Sequence, residues 1–240
     1  SNPVYCAHRN ETIPNEESIM IDYSKLRSNV LEYMLLNTEN QPRELCIEAV
    51  NRNWKWLELV KQQTPEICME AVKHHALALQ YVKEQTEEIC LIAIKCDWSL
   101  IRFVKEQTPQ ICIEAVKQHG SALQNVKNQT PEICMEAVKC HGRALKFVEE
   151  QTSDLCLQAV KGYGLALGYV KEQTPDICLA AVKENGWVLE LVEKQTNELC
   201  LEAVKQQGLA LQCVKNQTPE ICKAAIAQNP MAARYVKIKL

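Results

Sequence analysis

A cysteine returns every 22 residues along this chain: Cys46, Cys68, Cys90, Cys112, Cys134, Cys156, Cys178, Cys200 and Cys222. Alanine keeps the same step from Ala49 to Ala225, and valine from Val60 to Val236, without exception. Threonine holds one position in eight successive copies, from Thr64 to Thr218. Nine units of 22 residues therefore fill residues 43–240 without a break. A period of this length means that the chain builds one small supersecondary unit and stacks copies of it.

Each unit reads as two short helices. In the copy around Ile133, Thr130 is placed to cap the first helix. Pro131 suits the first turn, where its missing N–H is not needed. Glu132 lies near the positive end of the helix dipole. Ile133, Cys134, Ala137 and Val138 then recur at steps of three and four and form one apolar face. Gly142 is placed to end this helix in a left-handed conformation. Ala144, Leu145 and Val148 form the inner face of the second helix. One such unit buries too little apolar surface to order its own backbone, so units must share interfaces. The expected fold is all-α: an α-solenoid of nine 22-residue two-helix repeats with an N-terminal capping helix. At a helix spacing of about 8–10 Å, nine layers make a rod or arc roughly 70–90 Å long.

Residues 43–240 form the array, and residues 1–42 lack the pattern. Ser1-Asn2 reads as a remnant of tag cleavage. The polar stretch "HRNETIPNEES" is expected to be irregular, and "YSKLRSNVLEYMLL", Tyr23 to Leu36, to be a helix covering the first unit. At the other end Lys223 and Ala227 break the pattern, and Asn229-Pro230 replaces the glycine turn.

Thirteen cysteines would suggest a disulfide framework in a small secreted protein. Their even spacing argues otherwise. Neighbouring layers hold equivalent cysteines about 8–10 Å apart, while a disulfide needs Cα atoms within roughly 7 Å. A zinc ion needs sulfurs about 2.3 Å from one shared point. The column is read as small buried hydrophobes beside the alanines. Free thiols in this number suit a reducing compartment, the cytoplasm or the cytoplasm of a host cell.

The remaining constellations read as structure. His75, His119 and His141 share one column before the glycine position, expected about 8–10 Å apart and too far for one ion. Cys140-His141 is the one adjacent Cys-His pair, and adjacency alone supplies neither a base nor an orienting group. Cys96 and Cys140 occupy an exposed column. Lysines from Lys73 to Lys205 sit near helix C-termini, with Glu70, Glu114, Glu136 and Glu202 three residues earlier. The column of Tyr81, Phe103, Phe147, Tyr169 and Tyr235 also holds Leu59, Asn125, Leu191 and Cys213, which reads as packing rather than a base-stacking platform. A net charge of -3 is not the footprint of a nucleic-acid binder. Sequons at Asn10, Asn128 and Asn216 read as turn chemistry. Glutamines from Gln85 to Gln195, each just before the threonine cap, are expected to bond loop backbone groups. No stretch reaches the roughly 18 apolar residues of a membrane span. The sequence has no glycine-rich phosphate loop, no HExxH and no GxSxG. No cofactor, no metal and no catalytic residue is expected, and the chain is not read as an enzyme.

The text "QTPEICLEAVKxxGxALxxVK", carried by stretches such as Gln129–Lys146 and Gln195–Lys215, resembles a family of unknown function. Its helical repeat arrays are found in giant viruses and in bacteria that live inside eukaryotic cells. The first units depart from this text, with Trp54 and Trp98 at the glycine position. The resemblance implies a host-interacting, effector-like protein and no catalytic residues.

The expected function is a non-catalytic scaffold whose extended surface holds another protein. One alternative is an accessory repeat domain of an enzyme or toxin whose catalytic part lies outside this chain. A second is an RNA-binding array. Columns that hold the fold repeat, whereas columns free to recognise a partner vary. The most varied exposed column runs Lys55, Leu77, Ser99, Ser121, Arg143, Leu165, Trp187, Leu209 and Met231. Aromatic residues and arginine are the usual anchors of interfaces. The expected partner-binding residues are therefore Trp187, with Leu165 and Leu209 one layer to either side and Arg143 at the edge.

Overall fold

The computed structural model describes residues 21–239. Ser1-Asn2, the polar stretch and Asn10 lie outside them. Among the described residues the chain forms ten α-helices and ten 3-10 helices and no strand. The repeats form an all-α solenoid in which every 22-residue unit pairs one helix of each kind.

The unit starting at Pro131 shows the logic. Its α-helix spans Pro131–Cys140. The Thr130 hydroxyl accepts the Ile133 N–H at 3.3 Å and caps it. Ile133, Cys134, Ala137 and Val138 are its buried residues, the four read as one face. His141 then adopts an extended backbone and breaks the helix. The chain continues as a 3-10 helix, Gly142–Phe147. Its bonds close over three residues, with Ala144 N–H on His141 O at 2.8 Å and Val148 N–H on Leu145 O at 3.1 Å. Three residues per turn set Leu145 above Val148, so both reach the core from one short segment.

Gly142 does not end the α-helix in a left-handed conformation. No described residue has a positive φ. The glycine opens the 3-10 helix instead, and its reason is close approach. A Cβ on Gly142 would stand 2.5 Å from the carbonyl oxygen of Ala159 in the next layer. The corresponding distance is 2.7 Å from Gly120 to Ala137 O and from Gly186 to Ala203 O. Backbone therefore packs on backbone at this corner, which the alanine column also serves. Trp54 and Trp98 occupy the same position in earlier units, where their rings lie on His75 and His119 of the following layer.

The turn after each 3-10 helix is closed by a glutamine ladder. Gln129 Nε2 donates to Leu123 O at 3.4 Å in its own unit and to Phe147 O at 2.8 Å in the next. Its Oε1 accepts the Glu149 N–H at 3.1 Å. One amide thus satisfies the free carbonyls of two 3-10 helix ends and ties adjacent layers. Gln63, Gln85, Gln107, Gln151, Gln195 and Gln217 repeat this arrangement. The ladder begins one step before the sequence period. Gln41 bonds Leu35 O, Leu59 O and Lys61 N–H in the same way.

The cap helix spans Ser28–Asn37 and buries Leu31 and Leu35. At the far end the Asn229 side chain accepts the Met231 N–H, and Pro230 opens the last 3-10 helix. The core is one continuous stack of apolar columns. Among the described residues no polar residue is buried and no buried side-chain polar atom lacks a partner.

Candidate partner-binding surface

The 3-10 helices carry the varied columns. Glu58, Gln80, Arg102, Gln124, Lys146, Gly168, Glu190, Gln212 and Arg234 are all exposed. Of the expected anchors, Leu165 is 42% exposed and Arg143 is exposed, while Trp187 and Leu209 are half-buried. Trp54, Trp98 and Leu77 pack against the core, but Trp187 and Leu209 are not among the partly buried apolar side chains that do so. Trp187 is held through its backbone. Its N–H lies 3.0 Å from Asn185 Oδ1 and 3.1 Å from Gln207 Oε1 of the next layer.

Two further residues join this surface, one of them from the column that the sequence reads as packing. Leu191 belongs to the largely aromatic column, yet it is 37% exposed. A Cβ on Gly168 would meet Leu191 Cδ1 at 3.5 Å, so Leu191 lies against the glycine of the preceding layer. At three other rings of this column a long cation covers the ring: Arg102 over Phe103 at 4.8 Å, Lys146 over Phe147 at 5.6 Å and Arg234 over Tyr235 at 5.8 Å. Gly168 offers Tyr169 no such cover. The readable signal was the glycine, the one residue without a side chain in a column otherwise polar or charged. Between the cap helix and Met231, Leu165 and Leu191 are the exposed large apolar side chains. Leu165 holds the position of Trp187 in the preceding unit, and Leu191 ends the same 3-10 helix as Trp187, Gly186–Leu191. Arg143 lies one unit earlier, lining a hollow with Cys140, His141 and Tyr163.

The nine column cysteines are free and buried. Burial pushes their thiols up, to about 11 at Cys68 and Cys90. They are more than small hydrophobes, because each S–H is placed to donate to the ladder glutamine five residues earlier. The distance is 3.6 Å from Cys134 Sγ to Gln129 Oε1 and 3.8 Å from Cys68 Sγ to Gln63 Oε1. Cys96 is exposed and Cys140 half-buried.

The histidine column is tighter than a layer spacing implies. The rings of His119 and His141 stand 4.7 Å apart, centroid to centroid, with their planes tilted by 32°. The turn also brings Cys140 Sγ to 3.0 Å from His141 Nδ1. That nitrogen faces the Gly120 N–H at 3.3 Å as well, so a backbone amide shares the position a thiol proton would take. Among the described residues no group of three His, Cys, Asp or Glu side chains could hold a metal ion.

Lysines from Lys73 to Lys205 are exposed, and of the glutamates expected beside them Glu136 pairs with Lys139 at 3.1 Å. A second lysine column goes unremarked in the sequence reading although "VK" recurs in the repeat. Lys127 Nζ donates to Val104 O and Lys105 O of the preceding layer, and Lys105 Nζ to Val82 O. The aromatic side chains Tyr81, Phe103, Phe147, Tyr169 and Tyr235 are half-buried against the core. Asn128 and Asn216 are exposed in the turns between layers. No helix of the described residues is long and apolar enough to cross a membrane.

Residues 64–108 and 108–152 each match a family described as a domain of unknown function, DUF4116. Each match spans two of the 22-residue units, and the two adjoin at Thr108. Over these residues the chain is similar to a repeat family of unknown function, and the same spacing runs on to the end of the array. No curated protein matches the chain. No solved structure matches it.

Proposed function

We propose that the chain is a non-catalytic scaffold that holds another protein along the face built by its 3-10 helices. The observation that carries this reading is that exposed Leu165 and Leu191 and half-buried Trp187 stand on the 3-10 helices of two adjacent layers, with Leu191 beside Gly168. These side chains stand in columns that the fold does not hold to one residue type, whereas the glutamine, cysteine, alanine and valine columns repeat. Tryptophan is among the usual anchors of a protein interface. An effector-like protein working in a reducing compartment, such as host cytoplasm, accords with nine buried thiols left unpaired.

The test is affinity capture from eukaryotic cell lysate, with mass spectrometry of the retained proteins. Trp187→Ala is compared with the parent chain, and its melting midpoint is measured in parallel. A protein retained by the parent and lost by the variant, at an unchanged midpoint, is the expected result. A midpoint lowered by several degrees with retention intact would place Trp187 in the core and remove the site.

A further inference from the structure

A pile of rings runs along the turn edge of the solenoid and stops part-way. Trp98 lies on His119 with centroids 4.6 Å apart and planes 11° apart, and His119 lies beside His141 at 4.7 Å. The next residue of this column is Tyr163. It sits one layer on, its Cβ 2.8 Å from where a Cβ on Gly142 would stand. Among the described residues Tyr163 does not continue the pile. A hollow of about 390 Å³ opens there instead, bounded by His141 and Tyr163 and by Lys139, Cys140, Arg143 and Gly162. Gly162 is exposed at the end of its helix, and a Cβ there would meet no atom within 4 Å, so no side chain fills that side of the hollow.

We propose that this hollow binds a purine nucleotide, with the base stacked on His141 beside Tyr163 and the phosphate held by Arg143. The volume falls within the roughly 300–1,000 Å³ typical of small-molecule sites. Base stacking on aromatic and histidine rings is general to nucleic-acid components, and a base here extends a pile the protein has already begun. Two cations line the hollow, and they differ. Lys139 is paired with Glu136 at 3.1 Å. Arg143 makes no ion pair among the described residues, and its planar fork matches phosphate oxygens. The Cys140 thiol lines the same hollow, within reach of Lys117 O at 3.2 Å, and so reports on its occupancy.

The experiment measures alkylation of Cys140 by iodoacetamide, counted by peptide mass spectrometry, with exposed Cys96 as the internal control. At about 1 mM adenosine monophosphate, Cys140 should react at least about threefold more slowly, which corresponds to a Kd near 0.5 mM or tighter. Cys96 should be unaffected. Adenosine alone and inorganic phosphate alone should each protect less than the nucleotide. In Arg143→Ala the nucleotide should protect no better than adenosine. Gly162→Leu, at an exposed helix end, should remove protection without lowering the melting midpoint. Equilibrium dialysis of labelled nucleotide reads the same Kd without the thiol. Unchanged reactivity at Cys140 together with no retention in dialysis overturns the proposal. So does equal slowing at Cys96, or phosphate alone protecting as well as the nucleotide.

Discussion

Gln129 does four things with one side-chain amide. It donates to Leu123 O and Phe147 O, accepts the Glu149 N–H, and faces the Cys134 thiol at 3.6 Å. Replacing it with alanine leaves the ends of two 3-10 helices unpaired, so Gln129→Ala should lower stability by about 1–3 kcal/mol in denaturant melts. A difference indistinguishable from zero would mean that water serves the turn as well. The thiols give a pH dependence of fixed sign. An unfolded cysteine loses its proton near its ordinary value of 9.0, whereas burial holds the Cys68 and Cys90 thiols until about 11. Between those values the unfolded chain binds fewer protons than the folded one, so stability falls as pH rises. Below 9.0 the contribution is fully present. The denaturant midpoint should therefore drop from neutral toward pH 10, and drop less in a Cys68→Ala, Cys90→Ala double variant. An equal drop in both proteins would assign the alkaline sensitivity to other groups.

The elements separate what the repeat announces from what it hides. The α-helix was legible, because Thr130, Pro131 and the Ile133, Cys134, Ala137, Val138 face mark its start and its buried side. The second helix was legible as a helix but not as 3-10, since Leu145 and Val148 three residues apart suit either form. Glycine misled for a physical reason. At Gly142 the requirement is room rather than a left-handed φ, and room is a property of the next layer, which local sequence does not display. Two glycines therefore predict opposite outcomes. Gly142→Ala drives a methyl against Ala159 O and should destabilise by about 1–3 kcal/mol. Gly162→Ala meets open space at a helix end and should stabilise by about 0.5 kcal/mol through lower unfolded-state entropy. Thermal melts of the pair decide the matter, and equal shifts would remove close approach as the cause.

At the scale of the whole molecule, layers are joined to nearest neighbours by the same few devices: the glutamine ladder, the lysines on preceding carbonyls and the apolar columns. A period of 22 made that architecture legible from end to end. The surface was legible only in part. Variation along the 3-10 columns pointed to Trp187 and Leu165, but the exposure of Leu191 depends on Gly168 one layer away, and the gap after His141 depends on where Tyr163 comes to rest. Both are relations between units rather than properties of one. The central claim, that 22 residues make one interchangeable layer, is tested most directly by deleting residues 87–108. The cut joins Thr86 to Pro109, so a threonine still caps the next helix, and Gln85 meets Asn125 O where Phe103 O had been. The expected result is an α-helical circular dichroism spectrum and one cooperative melt at a lower midpoint, while deleting residues 87–97 abolishes the transition. A chain lacking 87–108 that fails to fold, or one lacking 87–97 that melts like it, would contradict the layered array.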